Sequence, residues 1–122
     1  MRLRSDIWVA AYLRRASVEG AAAVLRRRGA AEAGAIWVMV DRLDGAVALY
    51  GPAPQSESGE RGVERLWQRA HAEETVAADE AERRIARETA FDSDLWLVEV
   101  EDRDGRHWLD LVEPSSPPRR RT

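Results

Sequence analysis

The residues best suited to chemistry cluster near the end of the chain, where Asp92, Asp94, Glu99, Glu101, Asp102 and Asp104 follow one another closely. Two such carboxylates can hold a divalent cation or share the acid and base roles of a hydrolase or nuclease. His71 and His107 are the only histidines, so imidazole can contribute at most two ligands to a metal, with Asp92, Asp94 or Asp110 as a third. Metal-dependent nucleases often add a lysine beside such acids, and this chain has none. A plainer reading puts Glu99 and Glu101, two apart, on the solvent face of an edge strand, where charge blocks edge-to-edge pairing. Asp94 opens that strand, or closes the preceding turn with Asp92.

Other patterns fail on spacing. "DRLDG" and "DRDG" resemble pieces of a calcium loop, which needs alternating oxygen ligands, a sixth-position Gly and a twelfth-position Glu. With Gly105 sixth, the first position is Val100 and the twelfth Leu111; with Gly45 sixth they are Val40 and Gly51. An Asp-Gly turn between alternating strands accounts for both segments. "HAE" at His71–Glu73 is the opening of a zinc-deaminase motif, which requires a downstream Cys pair. A stripe of Arg65, Trp67 and Arg69, with Arg106, His107 and Trp108 as a second group, could stack bases or grip an acidic peptide if strands place them on one exposed face. Tyr50, beside Gly51 and Pro52, adds a lip for a peptide.

The composition excludes whole classes. The chain has 122 residues, no Cys and a formal net charge of -3, and all nineteen of its Lys+Arg positions are Arg. Thiolate chemistry, disulfides and Cys-ligated metals are ruled out, as are Schiff bases and a phosphate-loop lysine. No Ser occupies a Gly-x-Ser-x-Gly setting. No apolar run approaches the roughly 18 residues of a membrane span, and "IWVAAYL" lacks the features of a signal peptide; a cytoplasmic protein is expected.

The elements that must position these residues can be read from periodicity. Residues 5–18 suit a helix capped by Ser5, burying Ile7, Ala10, Ala11 and Val18 with Arg14 beside them. "AAVLRRRG" is a strand, and "AIWVMVD" has the all-apolar composition of a central one. Leu43-Asp44-Gly45 then turns the chain into "AVALYG". Residues 63–71 fit either a strand or a helix, with the strand narrowly preferred. Thr75 caps a helix running to about Thr89, with Ala78, Ala81 and Ile85 buried and Asp79–Arg83, Glu80–Arg84 and Arg84–Glu88 as four-apart pairs. In "LWLVEVE", Trp96, Val98 and Val100 share one face, opposite Leu95, Leu97, Glu99 and Glu101. "RHWLDL" returns as a second hairpin. Val38–Leu49 and Val98–Leu109 share Val, Val, Asp-Gly and Leu at equal offsets, so the two hairpins echo each other.

The segments "RLRSDIWVAAYLRR", "AGAIWVMVDRLDG", "LYGPAP" and "FDSDLWLVEVEDRDGR" resemble a small alphaproteobacterial family known only as domain of unknown function 1491. The resemblance spans most of residues 2–109 and is poor between Ser56 and Glu73. It implies a compact cytoplasmic domain and supplies no activity, substrate or catalytic residue.

These readings give an α+β domain over 1–113, with a largely antiparallel β-sheet built from hairpins and packed with two main helices, followed by a disordered basic tail at 114–122. The expected function is a non-enzymatic binding or regulatory module acting through its sheet surface on a protein partner or on a second copy as a homodimer. No cofactor, metal or catalytic residue is expected. Tyr50, Arg65, Trp67, Arg69, Arg106, His107 and Trp108 are the candidate binding residues. The alternatives are a metal-dependent hydrolase or nuclease built on Asp92, Asp94 and Glu99, and single-stranded nucleic-acid binding through the Arg–Trp stripe, which is not favoured.

Overall fold

A computed structural model describes residues 3–54 and 65–112. Val63, and the tail at 114–122, lie outside the described residues. The element order is α1 (Ser5–Val18), β1 (Ala22–Arg27), β2 (Ile36–Asp41), β3 (Ala46–Pro52), β4 (Trp67–Arg69), β5 (Val76–Ala77), α2 (Ala78–Phe91) and β6 (Trp96–Glu101). The strands form one sheet in the order β1-β6-β2-β3-β4, with β5 also beside β3. Every pairing is antiparallel except β2 with β6. The α+β class and the mostly antiparallel sheet agree with the sequence.

Alternation along the strands divides the core in two. Ile36, Val38, Val40, Ala48, Tyr50, Trp96, Val98 and Val100 face α1, while Met39, Val47, Leu49, Leu95 and Leu97 face α2. The central strand β2 is therefore buried on both sides, as its composition requires. With a helix over each face, the sheet surface expected to bind a partner is largely covered.

Helix α1 forms where expected but buries a different stripe. Ser5, Val9, Tyr12 and Ala16 point inward, whereas Ile7 is 49% exposed and Val18 78%. The helix is apolar nearly all round, so periodicity alone cannot choose its inner face. The face carrying Trp8 and Tyr12 has more apolar area to remove from water, and it wins. Ser5 does not cap either. Its buried hydroxyl donates to the Gly34 carbonyl at 2.7 Å, and the loop carbonyls of Glu32 and Ala31 take the Ser5 and Asp6 amides at 3.2 and 3.0 Å. Gly34 is buried there, and a Cβ would collide with the Asp94 carbonyl.

Helix α2 begins at Ala78, because Val76 and Ala77 add a short strand to β3. Thr75 consequently caps nothing. Ala81 and Ile85 are buried as expected, and Ala78 is exposed. Arg83 pairs with Asp79 and Arg84 with Glu80. Arg84 also donates to the Ala70 carbonyl at 2.9 Å, and an Arg84–Glu88 pair is absent among the described residues.

The echoed segments have an unexpected relation. Only the first, around Leu43-Asp44-Gly45, is a hairpin. The second strand, β6, lies parallel to β2 in a register that pairs Val38 with Val98, Val40 with Val100 and Asp41 with Glu101. The sixty-residue offset in sequence is thus the lateral register of two neighbouring strands. Since β6 also pairs with β1 on its other side, it is interior, and Glu99 and Glu101 do not guard an edge. "RHWLDL" makes no return strand. Asp102 accepts hydrogen bonds from the Arg106 amide and guanidinium at 2.8 and 2.7 Å, and Trp108 takes a left-handed conformation with φ 53°. Both bend the chain away from an extended path.

Candidate functional site

The aromatic members of the expected binding set do come together, with Tyr50 and Trp67 buried and His107 and Trp108 half-buried. Tyr50 on β3, Trp67 on β4, and His107 and Trp108 in the loop after β6 gather beneath α1. Trp8 stacks on Tyr12 at 4.9 Å and meets Trp67 at 5.0 Å. Tyr12 meets Trp108 edge-on at 6.4 Å, and the Tyr50 and His107 rings lie 5.0 Å apart. The Tyr12 hydroxyl donates to the His107 carbonyl at 2.8 Å, fixing the loop against the helix. Burial raises the Tyr12 hydroxyl pKa above its usual value and does the same to Tyr50.

Trp67 is only 3% exposed, so the solvent-facing Arg–Trp–Arg stripe does not form. Residues 67–69 are a strand, yet the face that carries Trp67 turns toward α1, where the indole contacts Trp8. The flanking guanidiniums serve the backbone: Arg65 donates to the Leu3 carbonyl at 2.9 Å, and Arg69 to those of His71 and Ala72. Arg106 grips Asp102 and lies over the Trp108 ring at 5.1 Å. The guanidinium holds the Asp102 carboxyl below the usual carboxylate range, chiefly by hydrogen bonding.

The acidic set is dispersed. Asp92 accepts the Asp94 amide at 3.0 Å in a turn after α2, and Glu99 binds Arg26 at 3.1 Å on the α2 side of the sheet. The histidines are occupied by the backbone. His71 accepts the Leu49 amide on Nε2 at 3.0 Å and meets the Glu73 carbonyl through Nδ1 at 2.8 Å. His107 accepts the Leu109 amide on Nδ1 at 2.9 Å. Among the described residues no three His, Asp or Glu side chains gather as metal ligands. The carboxylates and histidine required by the hydrolase alternative do not converge.

His71 has a role that spacing did not disclose. Strand β4 pairs with the Tyr50–Pro52 end of β3 and β5 with the Ala46–Val47 end. The His71 ring fills the gap between them by taking the Leu49 amide, while the Ala70 amide donates to the Leu49 carbonyl at 2.8 Å. Since the Glu73 carbonyl can only accept, Nδ1 carries the proton and the ring is neutral. Burial, with Arg69 and Arg84 nearby, lowers the His71 pKa against the opposing effect of the Glu73 carbonyl. Beside the ring lies a cleft of about 490 Å³ between Gln68–Ala72 and Leu111–Val112.

Among the described residues, two further surfaces are open. One is the outer face of α1, with Ile7, Ala10, Ala11 and Val18 exposed in part or fully. The other is the outer edge of β1. That strand ends the sheet, pairs with nothing beyond β6 among the described residues, and carries Val24 at 54% exposure. No described helix is long and apolar enough to cross a membrane.

Residues 3–110 match the family model described as "Protein of unknown function (DUF1491)". The chain belongs to the DUF1491 family. A crystal structure of a DUF1491 protein from Caulobacter crescentus is 36% identical, with a TM-score of 0.75, and the match covers 93% of this chain and 100% of that one. An NMR structure of a DUF1491 protein from the same organism is 39% identical, also at TM-score 0.75, covering 93% and 99% of the two chains. A solution structure of an A. tumefaciens protein is 39% identical at TM-score 0.78, covering 95% and 100%. Comparison with curated proteins finds no match. The fold is thus shared with these relatives over 93–95% of this chain.

Proposed function

We propose that this DUF1491 protein is a non-enzymatic interaction module that binds a protein partner along the edge of its sheet. The observation supporting this reading is the state of β1: an end strand of six residues whose outer side has no partner among the described residues, with a half-exposed Val24 at its centre. Such an edge offers a row of backbone donors and acceptors that an added strand can use. The covered sheet faces leave the edge as the accessible part of the sheet. Helix α1, which packs on β1, supplies additional exposed apolar surface next to it.

The test is a photo-reactive side chain introduced at Val24 in the full chain in growing cells, with exposed Arg87 on α2 as the control position. Light-dependent adducts to protein from position 24 and not from 87 are expected. If position 24 yields no protein adduct, the edge is not a binding surface and the reading falls.

A further inference from the structure

We propose that the occupant of the β1 edge is β1 of a second copy, joined antiparallel about a twofold axis through Val24; this rests on the interaction reading above and names its partner. The strand is regular from Ala22 to Leu25 and loses register between Leu25 and Arg27. A twofold axis at Val24 keeps the central pairs, Ala23 with Leu25 and Val24 with its own copy, within the regular stretch and removes both Val24 side chains from water. An axis at Leu25 would instead set Arg26 against Val24 of the other copy and carry the pairing through the bulge.

Charge distribution fits the same register. Ala22, Val24 and Arg26 alternate onto the face of the sheet that carries α2, where Arg26 meets Glu82 at 2.8 Å and Glu99 at 3.1 Å. Ala22 and Val24 stand beside Glu101 and Glu99 of β6. Pairing about Val24 puts each Arg26 opposite the small Ala22 of the other copy. The next residue across is then that copy's Glu101, which is exposed and has no ion-pair partner among the described residues. The two guanidiniums thereby lie among Glu82, Glu99 and Glu101 of the two copies, and positive charge is not set against positive.

The absence of native cysteine makes the register directly testable. Directly opposed residues of an antiparallel pair have Cα atoms about 4.5–5.5 Å apart, within the roughly 4.4–6.8 Å that a disulfide spans. Full-length Val24→Cys is therefore expected to form a disulfide-linked dimer under mild oxidation, while Ala10→Cys on the exposed face of α1 stays monomeric. Sedimentation of the wild-type chain from micromolar to millimolar concentration is expected to show a monomer–dimer equilibrium, weakened at least tenfold by Val24→Lys. Circular dichroism confirms that the Lys variant is folded. The proposal is overturned if the wild type stays monomeric throughout, or if dimerisation is unchanged by Val24→Lys, or if Ala10→Cys cross-links in place of Val24→Cys. Photo-adducts from Val24 to other proteins alongside a monomeric chain would sink the second copy and leave the broader interaction reading standing; absence of any adduct would remove both.

Discussion

His71 shows how one side chain can replace a strand. Its neutral ring completes the outer ladder of β3 at Leu49, and a proton on Nε2 would turn that acceptor into a donor facing an amide. The folded protein holds the His71 pKa below its ordinary value, mainly through burial, and burial does the same to His107. The unfolded chain therefore takes up these protons first as pH falls. Stability from both groups is complete above the ordinary histidine pKa of about 6.5 and declines as pH drops below it. Denaturation midpoints measured between pH 7.5 and 5 should fall on acidification. For His71→Gln the slope should shrink, by at most about 1.4 kcal/mol per pH unit, the value for one proton. An unchanged slope would mean that His71 titrates alike in both states. At Gly34, where a Cβ meets the Asp94 and Ala30 backbone, Gly34→Ala should cost about 1–3 kcal/mol in urea titrations by displacing the seat of α1.

Among the elements, α1 and β6 mark the limits of what the sequence discloses. The start and length of α1 follow from composition and from Gly20 after it, but its inner face does not, because Ile7, Ala10 and Val18 make as good a stripe as Val9, Tyr12 and Ala16. What decides is a contact distant in sequence, Trp8 with Trp67. In chemical denaturation, Trp67→Ala should lose about 3–5 kcal/mol, while Ile7→Ala should stay within about 0.5 kcal/mol; equal losses would reverse the assignment of faces. For β6, alternation correctly separates Trp96, Val98 and Val100 from Leu95 and Leu97. Alternation reports faces, not neighbours, so the acids at Glu99 and Glu101 suggest an edge although Arg26 of β1 covers Glu99. The first Asp-Gly turn was legible as a hairpin. The second was not, because the left-handed Trp108 and the Tyr12 bond to His107 depend on the packed helix.

At the level of the whole molecule, the candidate site dissolves for a related reason. Residues chosen as binders because they are aromatic were recruited by the core for their area, and the guanidiniums near them hold backbone carbonyls in place. The surface proposed for recognition is a strand edge without a partner among the described residues, which no single residue type announces. The two strands at the centre of the sheet, β2 and β6, should be its most slowly opening part. In native-state hydrogen exchange, amides of Val38, Val40, Val98 and Val100 are expected to exchange only through global unfolding, with β5 and the ends of β1 exchanging earlier. Faster exchange in β6 than in β5 would contradict the topology.

The sixty-residue register between β2 and β6 also bears on how the protein is made. The strand that joins β1 to the rest of the sheet is the last of the described strands, so β1 emerges from the ribosome before that neighbour and cannot pair with it until Glu101 has been synthesised. During that interval both of its edges are open. Charge on an open strand disfavours edge-to-edge pairing, and the three consecutive arginines at and just past its end, Arg26 to Arg28, put such charge on β1 from the moment it is made.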